Sequence, residues 1–294
     1  MPRAALLSIH ARVEGAGPST WEDPSLVQLW GPRFSAYVVA GRDLAVFSLG
    51  RMPDDRGRRV AEDLAARLHA YLGSRRMTYG EAGRGLGEHP NRLRYTAATG
   101  TVLIRWDGAR QPTVWTVPAP GVDPSEARLE LARRYLHVFG ATTPEAFAQW
   151  AGIRPARGRA AFGALSGSLT PVRTPAGDGW ILTRDEPTFR APAGPTASAR
   201  LLPSGDAFFL LQGADRELLV PEADRRRALW TPRVWPGGVL VRGEVVGTWR
   251  RAGADVTIQS WRRLAREERA AIEAEVESLP LPDNRARSLV RWDG

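Results

Sequence analysis

The chain has 294 residues, 43% hydrophobic and 25% charged, with a formal net charge of +9; that mixture is globular, long enough for more than one core, and points to a polyanionic partner. It contains no cysteine, and all 41 Lys+Arg positions are arginine, which excludes disulfides, thiolate metal sites, Schiff bases on a lysine side chain and a Walker-type nucleotide loop. No apolar run approaches the roughly 20 residues of a membrane span and no signal-peptide pattern opens the chain, so a cytoplasmic protein with no membrane partner is expected.

Near the start, LLSIHARVEG (6–15) ends an apolar run in His10 and Arg12, one residue apart, in a chain with 4 histidines. Three readings are open: a working pair, a DNA contact, or the polar end of a buried helix. SLVQLWGPRFSAYVVAGRDLAVFSLG then alternates and predicts strands around a Gly-Arg-Asp turn.

From residue 56 the order is clearer. RGRRVAEDLAARLHAYLG carries Val60, Leu64, Leu68 and Leu72 at helical spacing. Thr78 and Glu81 form a capping box that opens a second helix. HPNRLRYTAATG makes a third, with Pro90 in its first turn and Gly100 as its stop. TVLIRWDGARQPTVWTVP gives two strands around an Asp107-Gly108 turn. Three helices and a hairpin are the order of a winged helix.

That order recurs. DPSEARLELARRYLHVFG is a long helix, Thr142 and Glu145 a second capping box, ARGRAAFGALSG a third helix, and SLTPVRTPAGDGWILTR a hairpin with a Gly-Asp-Gly tip. Tyr71-Leu72, Thr78 and Glu81-Ala82 match Tyr135-Leu136, Thr142 and Glu145-Ala146 at one constant offset, which suggests tandem units. After a Pro/Ala/Ser linker near 191–200, the short runs ARLLP, AFFLLQ, ELLVP, GGVLVRG, EVVGTWR and DVTIQSW predict a small antiparallel sheet or barrel. REERAAIEAEVESL is a helix, and PDNRARSLVRWDG reads as a tail.

YLHVFGATTPEAFAQWAGI, ARLLPSGDAFFLLQGADRELLVP and GGVLVRGEVVGTWRR together resemble the winged-helix DNA-binding family that includes the AlkZ and YcaQ bacterial DNA glycosylases. The likeness spans nearly the whole chain. The combination of LLPxxD, a following DR and VxGTWR carries most of it. The family's usual Arg-x-Thr-x-His stands here as Arg33-Phe-Ser-Ala-Tyr37. The resemblance implies an α+β protein: tandem winged helices in a C shape, followed by a small C-terminal β-barrel. Its parts would be an incomplete first winged helix (1–55), a second (56–120), a third (121–190) and the barrel with a terminal helix (191–294). The first would be incomplete because the chain begins where the family has usually already passed one helix.

The resemblance also places His10 and Arg12 on the Gln-x-Gln or Gln-x-Asp motif, where a side-chain oxygen positions the water that displaces an alkylated base. Arginine offers no acceptor, whereas neutral imidazole does. The candidate catalytic residues are therefore His10, Arg12 and Glu14, with Arg12 gripping a phosphate or pairing with Glu14. Candidate DNA-binding residues are Arg33, Arg92, Arg94, Arg105 and Arg110, the last four on the third helix and wing of the second unit. Trp106 and Trp115 in that wing offer stacking faces, although alternation makes at least one of them core. Arg225-Arg226-Arg227 reads as a solvated loop. No histidine pair sits at metal-ligand spacing with a carboxylate, so neither metal nor cofactor is expected. The expected partner is damaged double-stranded DNA, bound by a monomer. Two functions stay open: a monofunctional glycosylase for N7-alkylated purines or crosslinks, and a non-catalytic sensor or regulator that has lost the motif.

Overall fold

The first apolar run forms helix α1 (Pro2–His10). The computed structural model describes residues 2–106, 111–192, 194, 196–210, 214–253, 255–280 and 289–293. It divides into two units: Asp23–Ala191, and Pro2–Glu22 together with Pro192–Gly294. Helix α1 thus belongs with the C-terminal part of the chain. Among the described residues no helix is long and apolar enough to cross a membrane.

The Asp23–Ala191 unit opens with a hairpin, β1 (Leu26–Trp30) and β2 (Ala36–Ala40), turning through Gly31–Ser35. The expected strand after Gly41-Arg42-Asp43 is instead helix α2 (Leu44–Leu49). The run LAVFSL is too short for periodicity to separate strand from helix. Ala45, Leu49 and Met52 settle it by packing along one side against Ala98 and Ala127.

Helix α3 (Asp55–Leu72) buries Ala61, Leu64, Leu68 and Leu72, while Val60 lies outside the core stripe and is exposed. The two-residue strand β3 (Met77–Thr78) leads into α4 (Tyr79–Gly85), where Thr78 and Glu81 form the expected capping box. The third segment, Pro90–Thr99, is a 3-10 run rather than an α-helix. The hydroxyls of Thr96 and Thr99 each bond a carbonyl three residues back, at 2.6 and 2.7 Å. That spacing favours the tighter turn. Gly100 then stops the run at φ 72°. Strands β4 (Val102–Arg105) and β5 (Thr113–Thr116) pair antiparallel; the expected Asp107-Gly108 turn lies outside the described residues. The five strands form one sheet in the order β2-β1-β4-β5-β3.

The order then repeats with α5 (Pro124–Phe139), α6 (Pro144–Ala151), α7 (Pro155–Ala164) and the hairpin β6 (Leu169–Thr174) and β7 (Gly177–Leu182). Thr142 bridges Trp180 as Thr78 of β3 pairs with β5, so the constant offset in the sequence has a structural counterpart. The second capping residue is Thr143, not Thr142: its hydroxyl accepts from the Ala146 N–H at 3.2 Å. Proline at the first helical position makes the residue before it the cap. Glu145 pairs instead with Arg159 at 3.0 Å. The hairpin turns at Pro175-Ala176, and the expected tip Gly177-Asp178-Gly179 lies in β7. The short helix α8 (Glu186–Arg190) closes the unit.

In the other unit, strands β8 (Ala199–Leu202), β9 (Gly237–Val241), β10 (Glu244–Ala252), β11 (Asp255–Ser260) and β12 (Leu289–Asp293) form a sheet in the order β12-β11-β10-β9-β8. Among the described residues this sheet is open, where a small barrel was expected. Two of the expected strands are not strands. Ala207–Phe209 is a 3-10 turn, and ELLVP falls at the end of α9 (Ala214–Leu219). The triple arginine lies in α10 (Ala223–Leu229) rather than a loop. The expected tail contributes β12, parallel to β11. Helix α11 (Arg266–Ser278) buries Ile272 and Val276 against the sheet, and Leu7 of α1 joins the same core.

Candidate functional site

Burial of Leu6 and Leu7 sets the rotation of α1. Its last turn continues past the helix, with the Ala11 and Val13 N–H groups donating to Leu7 and Ile9 carbonyls at 3.0 and 2.8 Å. This aims Arg12 at the loop LLPSGD. Its guanidinium grips both oxygens of Asp206, Nη2 to Oδ1 at 2.7 Å and Nη1 to Oδ2 at 2.9 Å. The Asp206 side chain is 0% exposed and that of Arg12 47%. Ser8 Oγ donates to the same carboxylate at 2.5 Å, and the Phe208 N–H donates to it at 2.9 Å. Four donors therefore satisfy a buried anion, the condition under which burial of charge is tolerated. Arg12 pairs with Asp206 rather than with Glu14, which is exposed in the turn after α1.

The same geometry shows why the C-terminal sequence blocks travel together. Trp249 of VxGTWR donates its indole N–H to the Leu202 carbonyl of LLPSGD at 2.9 Å. A Cβ at Gly237 would collide with that indole, and one at Gly238 with the Phe209 ring. In the DR pair, the Arg216 guanidinium lies over Trp230 at 4.7 Å and Trp235 at 5.5 Å. Ala11 and both tryptophans pack against the same buried cluster of Leu202, Phe209, Val220, Leu229 and Val245. Burial pushes the neighbouring Asp215 carboxyl above its ordinary range.

His10 is half-buried at the end of α1, with Nε2 3.2 Å from Ser278 Oγ. Ser278 has one O–H, and it donates to the Glu275 carbonyl at 2.8 Å. The serine oxygen can then only accept from His10. With the hydroxyl spent on Glu275, a neutral His10 donates from Nε2 and keeps its lone pair on Nδ1; with the hydroxyl turned to His10, the roles reverse. The first arrangement fits a group that accepts a hydrogen bond from water.

The candidate DNA contacts lie in the other unit. Arg33 sits at the tip of the β1–β2 hairpin and is exposed. It has φ 54°, and Phe34 follows at φ 58°. Two consecutive side-chain-bearing residues in the left-handed region cost about 1–3 kcal/mol each. Arg92 is not free: it and Arg67 share Glu88 at 2.9 Å each. Arg94 and Arg105 are half-buried, and Arg110 lies outside the described residues. Trp115 is covered by the Arg76 guanidinium at 4.4 Å and packs on the Leu29, Val39 and Leu103 cluster, so it offers no open stacking face. Trp106 is half-buried, and its backbone N–H donates to the Gln28 side-chain oxygen at 2.9 Å.

A family model described as DNA glycosylase AlkZ-like matches residues 1–280. The chain belongs to the AlkZ-like DNA glycosylase family. The solved structure of Streptomyces sahachiroi DNA glycosylase AlkZ matches with a TM-score of 0.78, covering 99% of this chain and 89% of that one at 19% identity. At that identity the likeness speaks for the fold. No curated protein matches the sequence. Within this AlkZ-like chain, sequence reasoning found His10 and Arg12 but missed Asp206, Ser8 and Ser278, which hold them. The final aspartate of LLPSGD was the available signal: a carboxylate after an apolar strand must find a cation or donors.

Proposed function

We propose that the protein binds damaged duplex DNA as a cytoplasmic monomer and releases N7-alkylated purines as a monofunctional glycosylase, with His10 holding the water. Family membership supports DNA as the partner. The observation that carries the chemistry is the 3.2 Å contact of His10 Nε2 with Ser278 Oγ; with the serine hydroxyl donated to the Glu275 carbonyl, Nδ1 is left as an acceptor. The repeated helix and hairpin orders of 55–116 and 124–182 then read as tandem winged helices that present arginine to phosphate.

An N7-alkylated purine is cationic and leaves readily. The target nucleotide is everted, because the glycosidic bond is shielded in the stacked duplex. Water attacks the sugar C1′, the C1′–N9 bond breaks with its electrons passing to the purine, and His10 Nδ1 takes the water proton. Arg12 acts through Asp206 by fixing the turn that follows His10. With no lysine side chain to attack the sugar, the product is an intact abasic site.

One observation favours a non-catalytic binder: the second motif position is a donor-only arginine already committed to Asp206. The deciding assay incubates a duplex carrying one N7-methylguanine with excess protein, then treats it with or without hot alkali. Alkali-dependent strand breaks that His10→Ala abolishes support the glycosylase. Binding without base release by the wild type leaves the binder reading in its place.

A further inference from the structure

Phe34 and Tyr95 are both exposed, at 37% and 48%, and meet edge to face with ring centroids 5.1 Å apart. They come from different elements, the β1–β2 hairpin tip and the 3-10 run Pro90–Thr99. Two exposed rings in contact make an apolar patch rather than scattered surface residues. Here the backbone holds one of them out. The tip is closed by Gly31 N–H to Ser35, Phe34 N–H to Gly31 and Ser35 N–H to Pro32 hydrogen bonds of 2.7, 3.0 and 3.2 Å. It also packs on the turn after α6, where a Cβ on Gly152 would lie 3.6 Å from the Arg33 nitrogen. The left-handed Arg33 and Phe34 are therefore fixed.

The residue before Phe34 is an exposed arginine, Arg33, whereas Arg94, before Tyr95, is half-buried with its Nε enclosed. Exposed rings next to an exposed arginine complement a nucleobase face beside a phosphate. Resting on the DNA-binding reading above, we propose that Phe34 and Tyr95 form an aromatic wedge that stacks on an exposed base at a disrupted step of duplex DNA. The wedge would make the protein prefer unstacked sites before any chemistry.

The test compares, by fluorescence anisotropy, an intact duplex with the same duplex carrying one tetrahydrofuran abasic site, which uncovers the flanking base faces. Wild type should prefer the abasic duplex. Phe34→Gly removes the ring at a backbone position that glycine occupies without strain. It and Tyr95→Ala should each reduce the preference about tenfold, the effect of losing one base–aromatic stack. Phe34→Trp should retain it. Arg33→Ala should weaken both duplexes alike. Equal wild-type affinity for the two duplexes, or a preference that survives Phe34→Gly and Tyr95→Ala, overturns the wedge and leaves DNA binding standing. No wild-type binding to either duplex at low salt overturns the DNA-binding reading as well. Thermal unfolding of each variant checks that it is folded when assayed.

Discussion

Arg12 closes both ends of its guanidinium fork on the buried carboxylate of Asp206, at 2.7 and 2.9 Å. The pair ties the end of α1 to the LLPSGD loop. Removing the arginine leaves Asp206 with only Ser8 and the Phe208 N–H. Arg12→Gln should therefore destabilise the protein by about 2 kcal/mol, less than a fully buried pair because half of the arginine is wet. Asp206→Asn should cost a similar amount. Urea unfolding measures both. An unchanged midpoint in Arg12→Gln would mean that the pair is not formed in solution.

Glu88 restrains Arg92, a candidate DNA contact, together with Arg67, and its side chain is only 12% exposed. Glu88→Gln removes that restraint and one negative charge. Duplex DNA should then bind severalfold more tightly at low salt. Its log–log salt dependence should steepen by roughly 0.9 for each additional phosphate neutralised. Arg92→Ala should have less effect than Arg33→Ala, which removes a cation with no such carboxylate. Weaker binding by Glu88→Gln would show that Glu88 orders this face for DNA rather than blocking it.

Glu268 gives a pH dependence with a definite sign. The Arg262 guanidinium bonds both its oxygens at 2.8 and 2.9 Å, and the Ala265 N–H donates at 2.8 Å, holding its carboxyl down to about 2 from 4.5. A folded-state pKa below the unfolded one stabilises above the unfolded value and loses that contribution as pH falls through the folded value. Glu268→Gln should thus unfold at lower temperature than wild type at pH 7. The difference should narrow from about pH 4.5 down to about 2. Circular dichroism melts across that range give the answer, and a pH-independent difference would assign the loss to packing.

The long helices and the first capping box were legible because their signals are local. Leu64, Leu68 and Leu72 repeat at helical spacing, and Thr78 with Glu81 needs only four residues to state a cap. Short apolar runs were not. LAVFSL and ELLVP became helices, since a few apolar residues suit either state until their neighbours choose. The parallel pairing of β12 with β11 was invisible because it joins Val256 to Val290 across more than thirty residues. The site was half legible for the same reason. His10 and Arg12 stand out in one segment, but Asp206 and Ser278, which decide what those two can do, meet them only through the fold.

The His10–Ser278 contact makes a prediction that does not depend on base release. If the Ser278 hydroxyl donates to Glu275, neutral His10 must carry its proton on Nε2. Long-range proton–nitrogen NMR separates protonated from unprotonated ring nitrogens, and with 4 histidines the His10 signals can be assigned by substitution. At high pH His10 should show a protonated Nε2 and a bare Nδ1. Ser278→Ala removes the acceptor, so the two tautomers should mix and the nitrogen shifts should converge. In the N7-methylguanine assay that variant should bind DNA as wild type does while releasing base more slowly. A bare Nε2 in the wild type would reverse the hydrogen bond and turn the acceptor toward Ser278. The water site on Nδ1, and with it the catalytic reading of His10, would then be lost.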